Sequence, residues 1–573
     1  MYQVVVLLLS VIFCHTTCVQ FMNNTTIFSI HEEVEIDAFA SNLMKCKRIP
    51  GLGLAVVKNG QRFSKGYGLR DITTNEPFDE NTISCGASLG KAFTAVLLAM
   101  LMTEQNAKGR KFDWETKVKD VSGGDVRFPD DVRSKEMTLI DLLTHRAGMG
   151  TIDLLLLAGY PDNRANRKTF ARRMKYMHEI SSFRSEFQYN NLMYIQAGYI
   201  AEVLGGMPYE DLVRDRIFKR LNMTTATFMG ELGDRQNAAK PYDLVNDTLV
   251  DSDQFVYKVH MISPAGGVCA SADDYSKWLH FLLNDAKTPN GKRLVDGSIW
   301  EGMWKGRQYI GDVMTRSFSL YKPLPVTMSA TSYAIAWFTA NYRGHEMMFH
   351  HGMFHAYNAF TVIYPKAKSA LILTVNGPLP MYLNTDLIPL SYLISDILLE
   401  ETPWLQSSDA CTYPTRWVNA TAHKPKTTDY EFRNLTDAQV IRYTGRYGHL
   451  FFGDIDIFHQ DGALMTMLGS FMNITLRYEP RKVRFVGFLE GTLRTTLSFS
   501  PIVTFSELQN DLYQNMTLHF VGFTNEVYWF HRKVSFNGKN NLTNSGITPL
   551  TFCDMTSLCF CYIIVYYALL TKF

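Results

Sequence analysis

Ser88 and Lys91 stand three residues apart in GASLGK, residues 86–91. A serine hydroxyl is a weak nucleophile until a neighbouring group takes its proton. A lysine one helical turn further on can be that group or can orient it, because positions i and i+3 share a helix face. The chemistry open to such a pair is acyl transfer. The serine attacks an amide or ester carbonyl, carries the acyl group, and gives it up to water. The same stretch also fits Gly-x-Ser-x-Gly, a serine on a sharp strand-to-helix turn, as Gly86-Ala87-Ser88-Leu89-Gly90.

The flanking residues separate the two readings. A strand-to-helix elbow needs a buried strand running into the serine, and an earlier Gly-rich oxyanion loop. The residues before Ser88, DITTNEPFDENTISC, are polar and hold no four-residue apolar run, and no HGGG-like stretch precedes them. From Ser88 onward the chain reads SLGKAFTAVLLAMLMTEQ, which is apolar on nearly all sides and predicts a buried helix. Ser88 then lies at the positive end of the helix dipole, which favours an alkoxide or oxyanion there. Burial of Lys91 in such a helix lowers its pKa and suits it to base chemistry. Chance alone supplies about two S-x-x-K matches in this length, so other elements must decide.

GLGLAVVKNGQRFSKGYGL (51–69) reads as two strands joined by an Asn59-Gly60 type I′ turn. Thr138 and Asp141 are spaced as a capping box opening TLIDLLTHRAG, with Gly148 suited to a helix stop. NLMYIQAGYIAEVL (191–204) predicts an apolar helix ended by Gly205-Gly206. ADDYSKWLHFLLND (272–285) predicts an amphipathic helix with Tyr275, Trp278, Leu279 and Leu282 on one face. SYAIAWFTA, MMFHHG, AFTVIYP and ALILTVN, between 332 and 376, read as strands. Strands at both ends with helices between predict an α+β domain whose sheet is completed by both termini. Residues 401–428 are polar and Pro-bearing, a linker by composition. Beyond it, short alternating segments such as GDIDIFHQDGALMTML, with a turn at Asp461-Gly462, predict a small all-β barrel or sandwich over 429–535.

Two further motifs accompany the serine. Tyr189-Asn190-Asn191 precedes the 191–204 helix, and His350-His351-Gly352 lies on a predicted strand. Around them stand DLLTHRAGM (141–149), MPYEDLVRDRIFKRLNMTTATF (207–228), SPAGGVCASADDYSKW (263–278) and LTVN (373–376). In this order the set resembles the class C β-lactamase-like, peptidase S12-type serine hydrolases, which include penicillin-binding proteins, D-aminopeptidases, esterases and secreted animal members. The resemblance covers roughly residues 30–400. It implies a β-lactamase/transpeptidase-like fold, an antiparallel sheet flanked by helices, and no metal or cofactor. It implies Ser88 as the acylated nucleophile, with Lys91 and Tyr189 moving its proton and Tyr189 as the base of this branch. Asn191 would orient Lys91 and the substrate amide. His350 would contact the substrate carboxylate or carbonyl, and the N–H groups of Ser88 and Met353, beside Gly352, would form the oxyanion hole. His350 stands where the family has Lys. A histidine at its ordinary pKa is neutral near pH 7, which puts a preference for free carboxylates in doubt. Tyr443-Thr444-Gly445-Arg446-Tyr447, followed by short strands, resembles the lipocalin-like barrel often appended to this family. Such a barrel would cover the site mouth, promote association, or add stability.

Each motif residue has a plainer reading. Tyr189 alone could be a core aromatic, and Asn191 a helix N-cap. The cluster His345, His350, His351 and His355 invites a metal, but His345-Glu346 lacks the second histidine of H-E-x-x-H. Strand alternation also sends His350 and His351 to opposite faces.

The N-terminus, 1–18, reads as a secretory signal: an apolar core from Val4 to Cys14, then the small residues Thr16 and Cys18. Glycosylation sequons start at Asn23, Asn24, Asn222, Asn246, Asn419, Asn434, Asn473, Asn515 and Asn541. Cys46, Cys85, Cys269 and Cys411 remain between the signal and the tail. They allow three pairings, or free buried thiols. The tail, 541–573, holds a 16-residue apolar run, Met555 to Leu570, roughly 24 Å as a helix against about 30 Å of hydrocarbon. A GPI signal with Asn544-Ser545-Gly546 as its small residues, a membrane anchor and a buried segment are all open, although Lys572 sits poorly with the first. The formal net charge of +2 with no basic run points away from nucleic acid. The sequence thus predicts a secreted or surface-tethered serine hydrolase. The competing class is a non-catalytic binding or matrix protein on the same scaffold.

Overall fold

The computed structural model describes residues 26–151, 166–252, 257, 260–378, 387–418, 430–460, 462–469, 472–490, 500–521 and 526–534. The expected signal, Asn23, Asn24, Asn419, Asn541, Asp461 and the C-terminal tail lie outside them.

In chain order, helix α1 (Ile30–Lys47) leads into strands β1 (Gly51–Lys58) and β2 (Gln61–Asp71). Helices α2 (Gly90–Asn106), α3 (Leu139–Leu143), α4 (Asn191–Gly205) and α5 (Ala272–Leu283) come next. Strands β3 (Met328–Tyr333), β4 (Phe338–Tyr342), β5 (His345–Phe354), β6 (Tyr357–Tyr364) and β7 (Ser369–Val375) precede helix α6 (Ile388–Leu398). The sheet runs β2-β1-β7-β6-β5-β4-β3 with a two-residue strand at each edge, Glu76–Pro77 and Gln308–Tyr309. Its centre joins the two ends of the domain, pairing Leu52 with Val375 and Lys58 with Ser369.

The apolar run of β1 is explained by burial on both faces. Leu52, Leu54 and Val56 pack with Leu43 of α1 and Leu390 and Leu393 of α6. Ala55 and Val57 face the other core, with α2 and Trp278 and Leu282 of α5. The Asn59-Gly60 turn has the positive φ values, 51° and 82°, that type I′ demands. Helix α2 is buried from Gly90 to Met102. The Thr138–Asp141 capping box forms reciprocally: Thr138 N–H donates to Asp141 Oδ2, and Asp141 N–H donates back to Thr138 Oγ1. Helix α3 stops five residues before Gly148, because His145 turns into the left-handed region at φ 59°.

Two expectations are corrected. SYAIAWFTA is not one strand: β3 ends at Tyr333 and β4 restarts at Phe338, its direct partner. The turn between, Ala334 to Trp337, is apolar and buried in the core, so no polar turn signal marks it. Residues 401–418 of the expected linker are packed rather than free. Leu405 and Ala410 join the core under α1, and a Cys46–Cys411 disulfide ties the segment to α1. A second disulfide joins Cys85 to Cys269, so all four cysteines pair.

The C-terminal region closes into an eight-stranded antiparallel barrel from Gly445 to His531, completed by Gly448 opposite His531. Arg532 stitches the closure by donating to Thr444 O and Tyr447 Oη. The barrel docks through Glu526. Its carboxylate accepts from Thr151 N–H at 2.9 Å and pairs with His178 at 3.2 Å, and Tyr528 donates its hydroxyl to the Thr151 carbonyl. Of the described sequons, Asn222, Asn246, Asn434 and Asn473 are exposed. Asn515 is half-buried and bonded to His531.

Candidate active site

Ser88 sits in a single 3-10 turn, Ala87–Leu89, that opens α2. Ala87 holds φ at 45°, a left-handed conformation rarely adopted by a residue with a Cβ. That strained residue turns the chain so that Ser88 remains partly exposed while both its neighbours are buried.

Lys91, one turn on, is fully buried. Its Nζ donates to Ser88 Oγ at 3.2 Å, to Asn191 Oδ1 at 2.6 Å and to the Ala265 carbonyl at 2.8 Å. Three acceptors suit the three protons of an ammonium. The third comes from the short helix Ser263–Gly266, part of SPAGG, whose Pro264 carbonyl accepts from Thr94. This helix approaches so closely that a Cβ on Gly266 would lie 3.1 Å from the Ala87 carbonyl carbon. The Cys85–Cys269 disulfide joins the two approaching segments, three residues before Ser88 and four after Ala265. Nothing local in the sequence marks the Ala265 carbonyl; only the SPAGG motif points to the segment.

Tyr189 places its ring 4.7 Å from Lys91 Nζ and 6.0 Å from the His350 ring. The cap of α4 is Asn190, not Asn191. Asn190 Oδ1 accepts from Leu192 N–H, and its Nδ2 donates to the Met149 and Gly150 carbonyls. Asn191 is thereby left to hold Lys91.

Strand β5 forms the facing wall. A Cβ on Gly352 would lie 2.0 Å from the Gly86 carbonyl oxygen, so only glycine lets this strand touch the serine turn. Met353, next along, is partly exposed. His350 and His351 take opposite faces, as alternation predicts: His350 meets Tyr189 and Tyr333, whereas His351 stacks on Phe318 and lies tilted against Phe360.

The His350 side chain, expected to contact substrate, is engaged within the protein. The imidazole is buried. Its Nδ1 lies 2.6 Å from the His351 carbonyl, which accepts and so requires the proton on Nδ1. Nε2 then accepts from the Tyr333 hydroxyl at 3.0 Å. Burial first, and then the nearby Lys91, holds the ring well below the ordinary histidine pKa. His350 is a neutral wall with both nitrogens engaged.

Comparison with known proteins places this geometry. The sequence model of the Beta-lactamase family matches residues 36–388, more than half of the chain, and the chain belongs to that family. Among curated relatives, the unguisins hydrolase of Aspergillus violaceofuscus is 26% identical over 341 residues, 58% of this chain and 59% of the relative. A second, from Aspergillus campestris, is 28% identical over 334 residues, 57% of this chain and 58% of the relative. The chain thus spans under two thirds of the length of these two. Gigasin-6 of Magallana gigas is 26% identical over 301 residues, 52% of this chain and 94% of the relative. The octameric penicillin-binding protein homologue of Pyrococcus abyssi shares the fold, with a TM-score of 0.52 and 18% identity over 86% of this chain and 99% of that one. The architecture is therefore β-lactamase/transpeptidase-like, with the barrel appended.

Proposed function

We propose that this protein hydrolyses an amide or ester through an acyl intermediate on Ser88. The observation that carries the reading is the convergence on one buried ammonium: Ser88, Asn191 and the Ala265 carbonyl all accept from Lys91. Lys91 donates towards Ser88 and stabilises the developing alkoxide. Tyr189, beside that charge, is the group we assign to accept the Ser88 proton as its phenolate, and the phenol so formed passes that proton to the leaving amine or alcohol. Water, deprotonated in turn, then releases the acid and restores the hydroxyl. The N–H groups of Ser88 and Met353 are assigned to the carbonyl oxygen, where one donor is typically worth about 3–4 kcal/mol.

The neutral wall bears on the substrate class. His350, with both ring nitrogens engaged inside the protein, offers no charge to a carboxylate, which supports recognition through an uncharged acyl or amide group. No metal or cofactor enters the scheme. Two disulfides and four exposed sequons support a secreted or cell-surface setting, since disulfides persist in oxidising compartments.

The test is intact-mass spectrometry of the purified protein with a fluorophosphonate and with a β-lactam, beside Ser88→Ala. One adduct on the wild type, mapped to the Ser88 peptide and absent from the variant, is expected. Folded protein that takes neither reagent would overturn the catalytic reading in favour of a binding or matrix role.

A further inference from the structure

Tyr189 lies on a stretch with no helix or strand of its own: residues 187–190 run between a turn and α4. Such a stretch needs an outside partner to hold a side chain in register. One residue supplies it from both sides. The N–H of Gln188 donates to the His145 carbonyl at 2.7 Å, and the N–H of Asn190 donates to His145 Nδ1 at 3.0 Å. The residues on either side of Tyr189 are therefore both pinned to His145 through their backbone N–H groups. Its ring also lies 4.4 Å from the Tyr189 ring and is closed in by Phe187, Tyr194 and Tyr333.

The arrangement constrains His145 closely. Nδ1 can accept only if it is unprotonated, so the proton sits on Nε2. That atom is buried with no hydrogen-bond partner among the described residues. The ring is fully buried, and its backbone holds φ at 59°. A left-handed, buried histidine with one nitrogen unpartnered is costly by itself. The two bonds to the Tyr189 stretch are what the arrangement obtains in exchange.

We propose that His145 is the positioning residue for Tyr189, setting the place of the phenol against Ser88 and Lys91 through Gln188 and Asn190 rather than by touching substrate. This role rests on the acyl-Ser88 reading above. A displacement of about 1 Å at a reacting group can cost on the order of a hundredfold in rate, so losing one of the two pins should be visible.

The test compares His145→Asn, His145→Gln and His145→Gly in the full chain. The Asn Oδ1 falls near the place of Nδ1 and keeps an acceptor for Asn190, and Asn tolerates positive φ. Gln places its oxygen towards Nε2 and leaves Asn190 without an acceptor. Gly relieves the backbone and offers no side-chain acceptor. The rate of fluorophosphonate acylation at Ser88 is read beside hydrogen exchange of the Asn190 amide. His145→Asn is expected to acylate within about threefold of wild type with Asn190 protected. His145→Gln and His145→Gly are expected to fall by about tenfold or more, with Asn190 exchanging faster. Folded His145→Gln or His145→Gly acylating at the wild-type rate would overturn this role alone. A His145→Asn as slow as His145→Gly would overturn it too, by showing that the acceptor is not what matters. A wild type that takes no label would overturn the role together with the reading beneath it.

Discussion

Lys91 Nζ and Asn191 Oδ1 lie 2.6 Å apart, closer than the same buried amine lies to Ser88 Oγ or to the Ala265 carbonyl. The two residues are a hundred positions apart in the chain and arrive on different helices. An amide that accepts from Lys91 aims one proton and so aims the other two, towards Ser88 and Ala265.

Asn191→Ala should therefore slow acylation of Ser88 by about 10²-fold, within the range for loss of an acid–base partner. Asn191→Asp keeps an acceptor but adds a buried charge against Lys91, and should pair with it too tightly to leave Ser88 its share. Second-order acylation rates check both, with thermal melts to confirm folding.

Gly352→Ala should abolish labelling and destabilise the domain. Its Cβ would meet the Gly86 carbonyl at 2.0 Å, a backbone atom that cannot swing aside. Overpacking of this kind typically costs about 1–3 kcal/mol, and it also moves β5 from the serine turn. A melting curve and an adduct measurement on the same sample check it.

The Cys85–Cys269 bridge joins the strand that leads into Ser88 to the strand that leaves Ala265. Replacing both cysteines by Ala should cost about 2–4 kcal/mol of stability. It should also slow acylation even well below the melting temperature, because the two segments around Lys91 lose their tie. Removing the Cys46–Cys411 bridge, on the far face under α1, should cost stability without that kinetic effect.

His351 predicts an acid sensitivity. Burial holds its pKa down to about 4, and neither ring nitrogen has a hydrogen-bond partner among the described residues. In the unfolded chain it titrates near 6.5, so between those values the unfolded state binds the extra proton. Stability is full above about pH 6.5 and falls as pH drops towards 4. His351→Phe, with Phe318, Phe349 and Phe360 around it, should flatten that fall. The gain in melting temperature over wild type should be larger at pH 5 than at pH 7.5.

Much of the molecule is legible because its causes are local. Ser88 and Lys91 meet because three residues of helix bring them together, and no distant residue is needed to see it. The doubly buried β1, the Asn59-Gly60 turn, the Thr138–Asp141 box and the opposite faces of His350 and His351 come from periodicity and turn chemistry within a few residues. The buried hairpin at Ala334–Trp337 escapes such reading because its turn is apolar, with tertiary packing replacing the usual polar signal.

The sequence alone determined the set of chemical groups and the elements that bear them: a serine–lysine pair on a core helix, a Tyr-x-Asn before another, and a His-x-Gly strand. The tertiary structure decided which groups engage. It gave the cap to Asn190 and freed Asn191 for Lys91, brought in the Ala265 carbonyl, chose the cysteine pairs, and turned His350 inward to Tyr333. Each of these is a contact between segments far apart in the chain, set by how the two cores close on the sheet, and no local pattern carries that information.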